Sequence, residues 1–148
     1  MILSSSVEET KHYAADFAKT LQGGEIIGLE GDLGSGKTTF VQGLAQALGV
    51  TTVVRSPTFT LMNIHETHSK WNLSIKYLIH VDAYRLPEQT EMYHIGLDEW
   101  LGRKDAVIFI EWPHLFKKEM IPFSHYMTFT YQDEERRKIE GLFSSGGS

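Results

Sequence analysis

The stretch Gly31-Asp32-Leu33-Gly34-Ser35-Gly36-Lys37-Thr38 restricts this chain more than any other, because it fits the pattern G-x-x-x-x-G-K-[ST] between an apolar run and a helical one. Upstream, residues 25–30 carry Ile26, Ile27 and Leu29 and predict a short buried strand. Downstream, Phe40, Val41, Leu44, Ala45 and Leu48 fall on one helical face, and Gly49 stands where a helix is usually capped. A strand that curls through glycines into a helix points successive backbone N–H groups at one spot. The positive end of the helix points there too, and the result is an anion cradle. Lys37 supplies an ammonium for β and γ phosphates, and the Thr38 hydroxyl supplies a ligand for Mg²⁺. Thr39 and the amide of Ser35 complete the set. Residues 31–39 are therefore expected to bind ATP with Mg²⁺.

Such a cradle needs an acid nearby to hold Mg²⁺ and polarise the attacking water. Two apolar runs end in one, 75–81 into Asp82 and 106–110 into Glu111. The carboxyl ends of parallel strands face the ligand crevice of an open α/β sheet, so both acids qualify. Either could position the water. Lys37, Asp82 and Glu111 are the candidate catalytic residues, and Thr38 with Glu111 the candidate metal ligands. Shortly after the second helix comes Arg55-Ser56-Pro57-Thr58-Phe59-Thr60-Leu61, where Ser56, Thr58 and Thr60 are candidates for a phosphate-sensing switch. His80, Tyr84 and Arg85 flank Asp82, and Trp112 follows Glu111; these four are further switch or partner candidates. Each also has an ordinary structural explanation as a strand or core residue. Arg136 and Arg137 lie by a terminal turn, with Arg136 the candidate nucleotide contact.

The remaining pattern predicts a single α/β domain over residues 1–143 with a mixed, largely parallel sheet in three layers. Ser6 and Glu9 form a capping-box signature, followed by Tyr13, Ala14, Phe17, Ala18 and Leu21 at helical spacing up to Gly23-Gly24. Strands are expected at 58–64, 75–82 and 106–111, with 66–72 a loop and 88–101 short helices broken at Gly96. Residues 113–122 read as a connector. Residues 125–131 alternate in period two and return through 136–143 as a hairpin. The Ser/Gly stretch 144–148 is expected to be a mobile tail.

Composition narrows the function classes. With 148 residues, 41% of them hydrophobic and 22% charged, the chain suits one soluble globular domain. It has no cysteine, which excludes disulfides and thiolate metal sites. The net charge of -5 and the scattered basic residues argue against direct grip on a nucleic-acid backbone, so any role with RNA is expected to be indirect and partners to be proteins. The start, Met-Ile-Leu-Ser-Ser-Ser, lacks a signal-peptide pattern. The longest apolar run, 106–110, is far below the roughly 20 residues of a membrane helix. A cytoplasmic protein is expected.

Four stretches occur in order: the glycine-rich motif through Thr39, Ser56-Pro57-Thr58-Phe59-Thr60-Leu61, His80-Val81-Asp82-Ala83-Tyr84-Arg85-Leu86, and Ile110-Glu111-Trp112-Pro113. The set resembles the bacterial TsaE (YjeE) family over most of the chain. The resemblance implies a P-loop ATPase, weak alone, needed to make N6-threonylcarbamoyladenosine at position 37 of tRNAs that read ANN codons. It implies the partners TsaD and TsaB, whose complex is reset by ATP hydrolysis. It also implies Glu111 as the second Mg²⁺ ligand, Asp82 as the acid of a His-x-Asp-x-Tyr-Arg stretch, and Trp112 as the tryptophan beside the glutamate. Phe59 stands in place of a usual tyrosine, Ala83 of a bulkier residue and His114 of a polar one, and loop 66–72 is a little longer than typical; none of these touches the phosphate chemistry.

Two other readings share the motif. A small-molecule kinase would add an arginine-rich lid, whereas this chain has five arginines and no such cluster. A nucleotide-gated binding module without turnover is the other. A GTPase is disfavoured by the lack of an Asn-Lys-x-Asp element.

Overall fold

The run Ala106–Glu111 is apolar at all positions but the last and buried at all six, as a strand covered on both faces must be. It is the fifth strand, β5, of a seven-stranded sheet. The others are β1 (Ile2–Ser4), β2 (Ile26–Glu30), β3 (Met62–Glu66), β4 (Tyr77–Asp82), β6 (His125–Tyr131) and β7 (Arg137–Glu140). Their order is β1-β7-β6-β2-β5-β4-β3. The four central strands β6, β2, β5 and β4 run parallel, and β7, β1 and β3 add antiparallel pairings outside them. This computed structural model describes residues 2–31, 36–51, 62–68, 74–82, 96–112, 121, 123–134 and 136–141.

Helix α1 (Val7–Ala18) starts as its sequence demands: the Ser6 hydroxyl accepts from the Glu9 amide at 3.0 Å. Only half of the expected capping box forms, because Glu9 Oε1 accepts from the Tyr13 hydroxyl instead (3.3 Å). Helix α2 (Lys37–Ala47) packs beside α1 on one face of the sheet. The crossing is close at Gly43, where a Cβ would lie 2.7 Å from Lys11 Cα. Phe40, Val41, Leu44, Ala45 and Leu48 of the predicted inner face are all buried, with Phe17, Leu29, Phe109, Met127 and Phe129. On the opposite face Ile79, Val81, Ile108 and Ile110 pack with Leu97, Ile121 and Trp100.

The α/β class, the mixed sheet and the terminal hairpin agree with the sequence expectation. Several boundaries differ. Glu66, assigned to a loop, is the last residue of β3, paired with Tyr77. Leu97–Glu99 is one 3-10 turn after the left-handed Gly96. Strand β1 was not expected at all; it pairs with β7, Ile2 opposite Ile139. The switch segment 52–61, residues 69–73, 83–95, 113–120 and the tail 142–148 lie outside the described residues. Among the described residues no helix is long and apolar enough to cross a membrane.

Candidate functional site

The site is built where the parallel strands end. β2 runs into Gly31, and Gly36, with φ 102°, forms the N-cap of α2. That left-handed turn is open to glycine and strained for other residues. The first helical residue is Lys37, only 4% exposed. Its ammonium donates to the Gly31 carbonyl, drawing the two ends of the loop together. It also sits 3.9 Å from the centroid of the Trp112 ring, in cation–π contact. Asp32, Leu33, Gly34 and Ser35 lie outside the described residues, whereas Thr38 and Thr39 follow Lys37 in the first turn of α2.

Two adjacent strands bring the predicted acids to the same edge. Asp82 closes β4 and Glu111 closes β5, and the two are register partners. Leu29 pairs with Glu111 on the other side, so the β2 end that opens the glycine loop is next in line. Strand alternation puts Leu29, Phe109, Glu111, His80 and Asp82 on the face covered by α1 and α2. Asp82 and Glu111 are 6% and 3% exposed. Burial of two carboxylates costs several kcal/mol per ion unless partners compensate. Glu111 has such a partner: its Oε2 lies 2.6 Å from His80 Nε2, and His80 is fully buried.

Trp112 owes its position to an unusual backbone. Its φ is 58°, the left-handed region that a bulky side chain rarely adopts. Its amide still donates to the Leu29 carbonyl at 3.1 Å, so β5 remains anchored to β2 while the chain turns. The turn brings the indole beneath Lys37. Left-handed non-glycine residues cost of order 1–3 kcal/mol and gather at functional sites.

The hairpin separates the two arginines named from sequence. Arg136 is 65% exposed and grips Asp133, with Nε to Oδ2 at 2.7 Å and Nη2 to the same oxygen at 2.6 Å. Its neighbour Arg137 lies closer to the loop: its Cγ is 3.5 Å from where a Cβ on Gly36 would be. The Arg137 guanidinium stacks 4.6 Å from the Tyr131 ring centroid and donates to the Arg136 carbonyl. Strand alternation puts Arg137 on the same face as buried Ile139, whereas Arg136, the nucleotide contact expected from sequence, precedes the strand. Thr10, in the first turn of α1, is buried and shares a 2.5 Å hydrogen bond with Ser4.

The residues suit Mg²⁺. A hydroxyl and a carboxylate are hard oxygen donors, and Mg²⁺ commonly takes one or two protein ligands, with phosphate and water filling the rest of its octahedron. Among the described residues no group of three or more His, Asp or Glu could hold a metal by itself. Ser56, Thr58, Thr60, Tyr84 and Arg85 lie outside the described residues.

Comparison with known proteins agrees with this geometry. The family model "Threonylcarbamoyl adenosine biosynthesis protein TsaE" matches residues 4–139. A protein of Aquifex aeolicus named tRNA threonylcarbamoyladenosine biosynthesis protein TsaE is 37% identical over 93% of this chain and 92% of its own length. A Bacillus subtilis protein of the same name is 40% identical over 76% of this chain and 66% of its own. The crystal structure of Bacillus subtilis YdiB superposes with a TM-score of 0.70 at 31% identity, covering 93% of this chain and 80% of that one. The strand-loop-helix cradle, the two acids at the neighbouring strand ends and the match over residues 4–139 place the chain in the TsaE family.

Proposed function

We propose that this protein is an ATP-binding and ATP-hydrolysing component of the machinery that makes N6-threonylcarbamoyladenosine at position 37 of tRNA, activated by and resetting a TsaB–TsaD complex. Its relatives carry the name of that biosynthesis. The observation that supports hydrolysis is the meeting of buried Lys37, Asp82 and Glu111 at the carboxyl ends of three neighbouring parallel strands.

In this reading the backbone amides of residues 31–39 and the Lys37 ammonium hold the β and γ phosphates. Lys37 then exchanges its Gly31 carbonyl and Trp112 contacts for phosphate oxygens, which desolvation makes strong acceptors. Thr38 and Glu111 would hold Mg²⁺, which would supply neutralising charge to the phosphates. Asp82, beside Glu111 in register, accepts a hydrogen bond from the attacking water and orients it toward the γ phosphorus. Arg137, with its stem against Gly36, extends the cradle on the hairpin side and takes the place expected of Arg136. The protein acts in the cytoplasm and meets tRNA only through its protein partners.

Phosphate release from ATP, measured alone and with TsaB–TsaD, tests this function. The expected result is stimulation by the partners that Lys37→Ala or Glu111→Ala abolishes. A phosphorylated small molecule as product would instead make the chain a kinase. Tight ATP binding without release under any condition would make it a passive nucleotide-gated module.

A further inference from the structure

We propose that His80 is the positioning residue of the metal site, fixing the Glu111 carboxylate so that it presents one oxygen to the nucleotide-bound Mg²⁺. The inference rests on the reading of Glu111 as a metal ligand. It concerns a side chain that the sequence marks as a switch or partner candidate, with no tie to the metal.

The two residues are thirty-one positions apart and meet only through sheet register. His80 sits opposite Phe109 in the β4–β5 ladder, and Glu111 is two residues further along β5 on the same face. Diagonal neighbours of this kind are close enough for long side chains to bridge. The bridge is short, 2.6 Å, between His80 Nε2 and Glu111 Oε2, at side-chain exposures of 0% and 4%. A carboxylate only accepts, so the ring carries a proton on Nε2 and donates it. Nδ1 is buried with no hydrogen-bond partner among the described residues. The ring therefore directs its one paired nitrogen at Glu111.

If packing alone were needed here, an apolar ring of similar size would do as well as histidine and would not strand Nδ1. What the imidazole adds is a directed donor. A hydrogen bond to Oε2 fixes the orientation of the carboxylate plane and disfavours chelation through both oxygens, which suits Mg²⁺, a cation that requires near-octahedral geometry and is content with one oxygen from each acid. Groups that orient metal ligands in this way commonly change metal affinity by roughly 10–100-fold when removed.

Calorimetric titration of the full chain with ADP, with and without Mg²⁺, tests the proposal. The readout is the ratio of the two affinities, which isolates the contribution of the metal. His80→Leu keeps an apolar side chain in the pocket but removes the donor, and should reduce that ratio about tenfold with metal-free ADP affinity unchanged. His80→Gln places an amide donor near the position of Nε2 and should restore part of it. A ratio that stays at the wild-type value in both variants overturns the proposal. So does a parallel loss of metal-free affinity, which would mark His80 as structural. Wild-type protein that binds no ADP at all would instead remove the nucleotide reading on which this rests. A second measurement needs no variant: nitrogen and proton resonances of the His80 ring should shift when Mg²⁺ is added to ADP-bound protein, and an unmoved ring overturns the proposal.

Discussion

Each end of the sheet sets a cation on a tryptophan face, and the two differ in their access to water. At the carboxyl end Lys37 lies 3.9 Å from the Trp112 centroid, with Glu111, His80 and Asp82 all buried on neighbouring strands. At the amino end Arg103 lies 4.3 Å from Trp100, is 42% exposed, and makes two hydrogen bonds to Asp105. The Arg103 guanidinium beside it holds the Asp105 carboxyl below the usual carboxylate range. The amino-end cluster is a surface arrangement that solvent would satisfy anyway. The carboxyl-end cluster withdraws several charges from water, which folding alone does not reward. Sites that break the rules of stable folding are where function is expected.

The sharpest break in this comparison is Lys37→Met. Losing the ammonium should reduce phosphate release at least about 100-fold, as loss of a single preorganised donor does. The same substitution keeps an apolar chain of similar length in place of the buried lysine stem and should change stability far less than activity. Steady-state phosphate release and urea unfolding measure the two effects. A large loss of stability would mean that the carboxyl end is built for folding after all.

Glycines at the two ends should fail in opposite ways. Gly23, with φ 104°, sits at the amino end, and a Cβ there would lie 2.0 Å from the Lys104 carbonyl oxygen. Gly23→Ala should cost about 2 kcal/mol by overpacking and strain, leaving ADP affinity intact. Among the described residues beyond its chain neighbours, the atom nearest to a Cβ on Gly36 is Arg137 Cγ at 3.5 Å. Gly36→Ala should cost about 1 kcal/mol of left-handed strain and yet weaken nucleotide binding far more than Gly23→Ala. Chemical denaturation with parallel ADP titration separates them, and equal effects on binding would erase the contrast.

What sequence revealed divides along a similar line. β5 and β6 were legible to the residue, one as an unbroken apolar run and the other as alternation bounded by turn residues. The strand and helix that flank the glycine-rich stretch were legible because their signals are local, carried by successive residues. β1 was not, since three residues carry little pattern and their partner strand, with Ile139 opposite Ile2, is distant in sequence. The His80–Glu111 bridge and the Lys37–Trp112 contact were also hidden. Both depend on strand order and register, and the second also on a left-handed turn at a residue type that gives no local hint of one.

Acid should separate buried from exposed groups again. His65 and His125 are buried enough that desolvation holds both rings below their ordinary pKa of 6.5, with His80 adding to the effect at His65. The unfolded chain therefore takes up protons first as pH falls through 6.5. Stability should fall from there down to the folded-state pKa values and then level off. Melting temperature measured from pH 7.5 to 5 should show this decline. His125→Leu, which keeps an apolar contact with Phe17, should flatten part of it. A melting temperature that rises on acidification would reverse the assignment.

The smallest effect is expected at the amino-end cluster, where Asp105→Asn removes the partner of Arg103. The guanidinium remains over Trp100 and Tyr77 and can turn to water, so no buried charge is stranded. Melting temperature should barely move, and whatever change appears should shrink in high salt, since exposed charges are screened. ADP affinity and phosphate release should match the wild type. Had the two clusters been equivalent, Glu111→Gln at the other end would behave the same way. If Glu111 ligates Mg²⁺ as proposed, Glu111→Gln should instead leave the fold standing and take the Mg²⁺-dependent part of nucleotide binding with it, since the carboxylate there is buried and water cannot stand in for it.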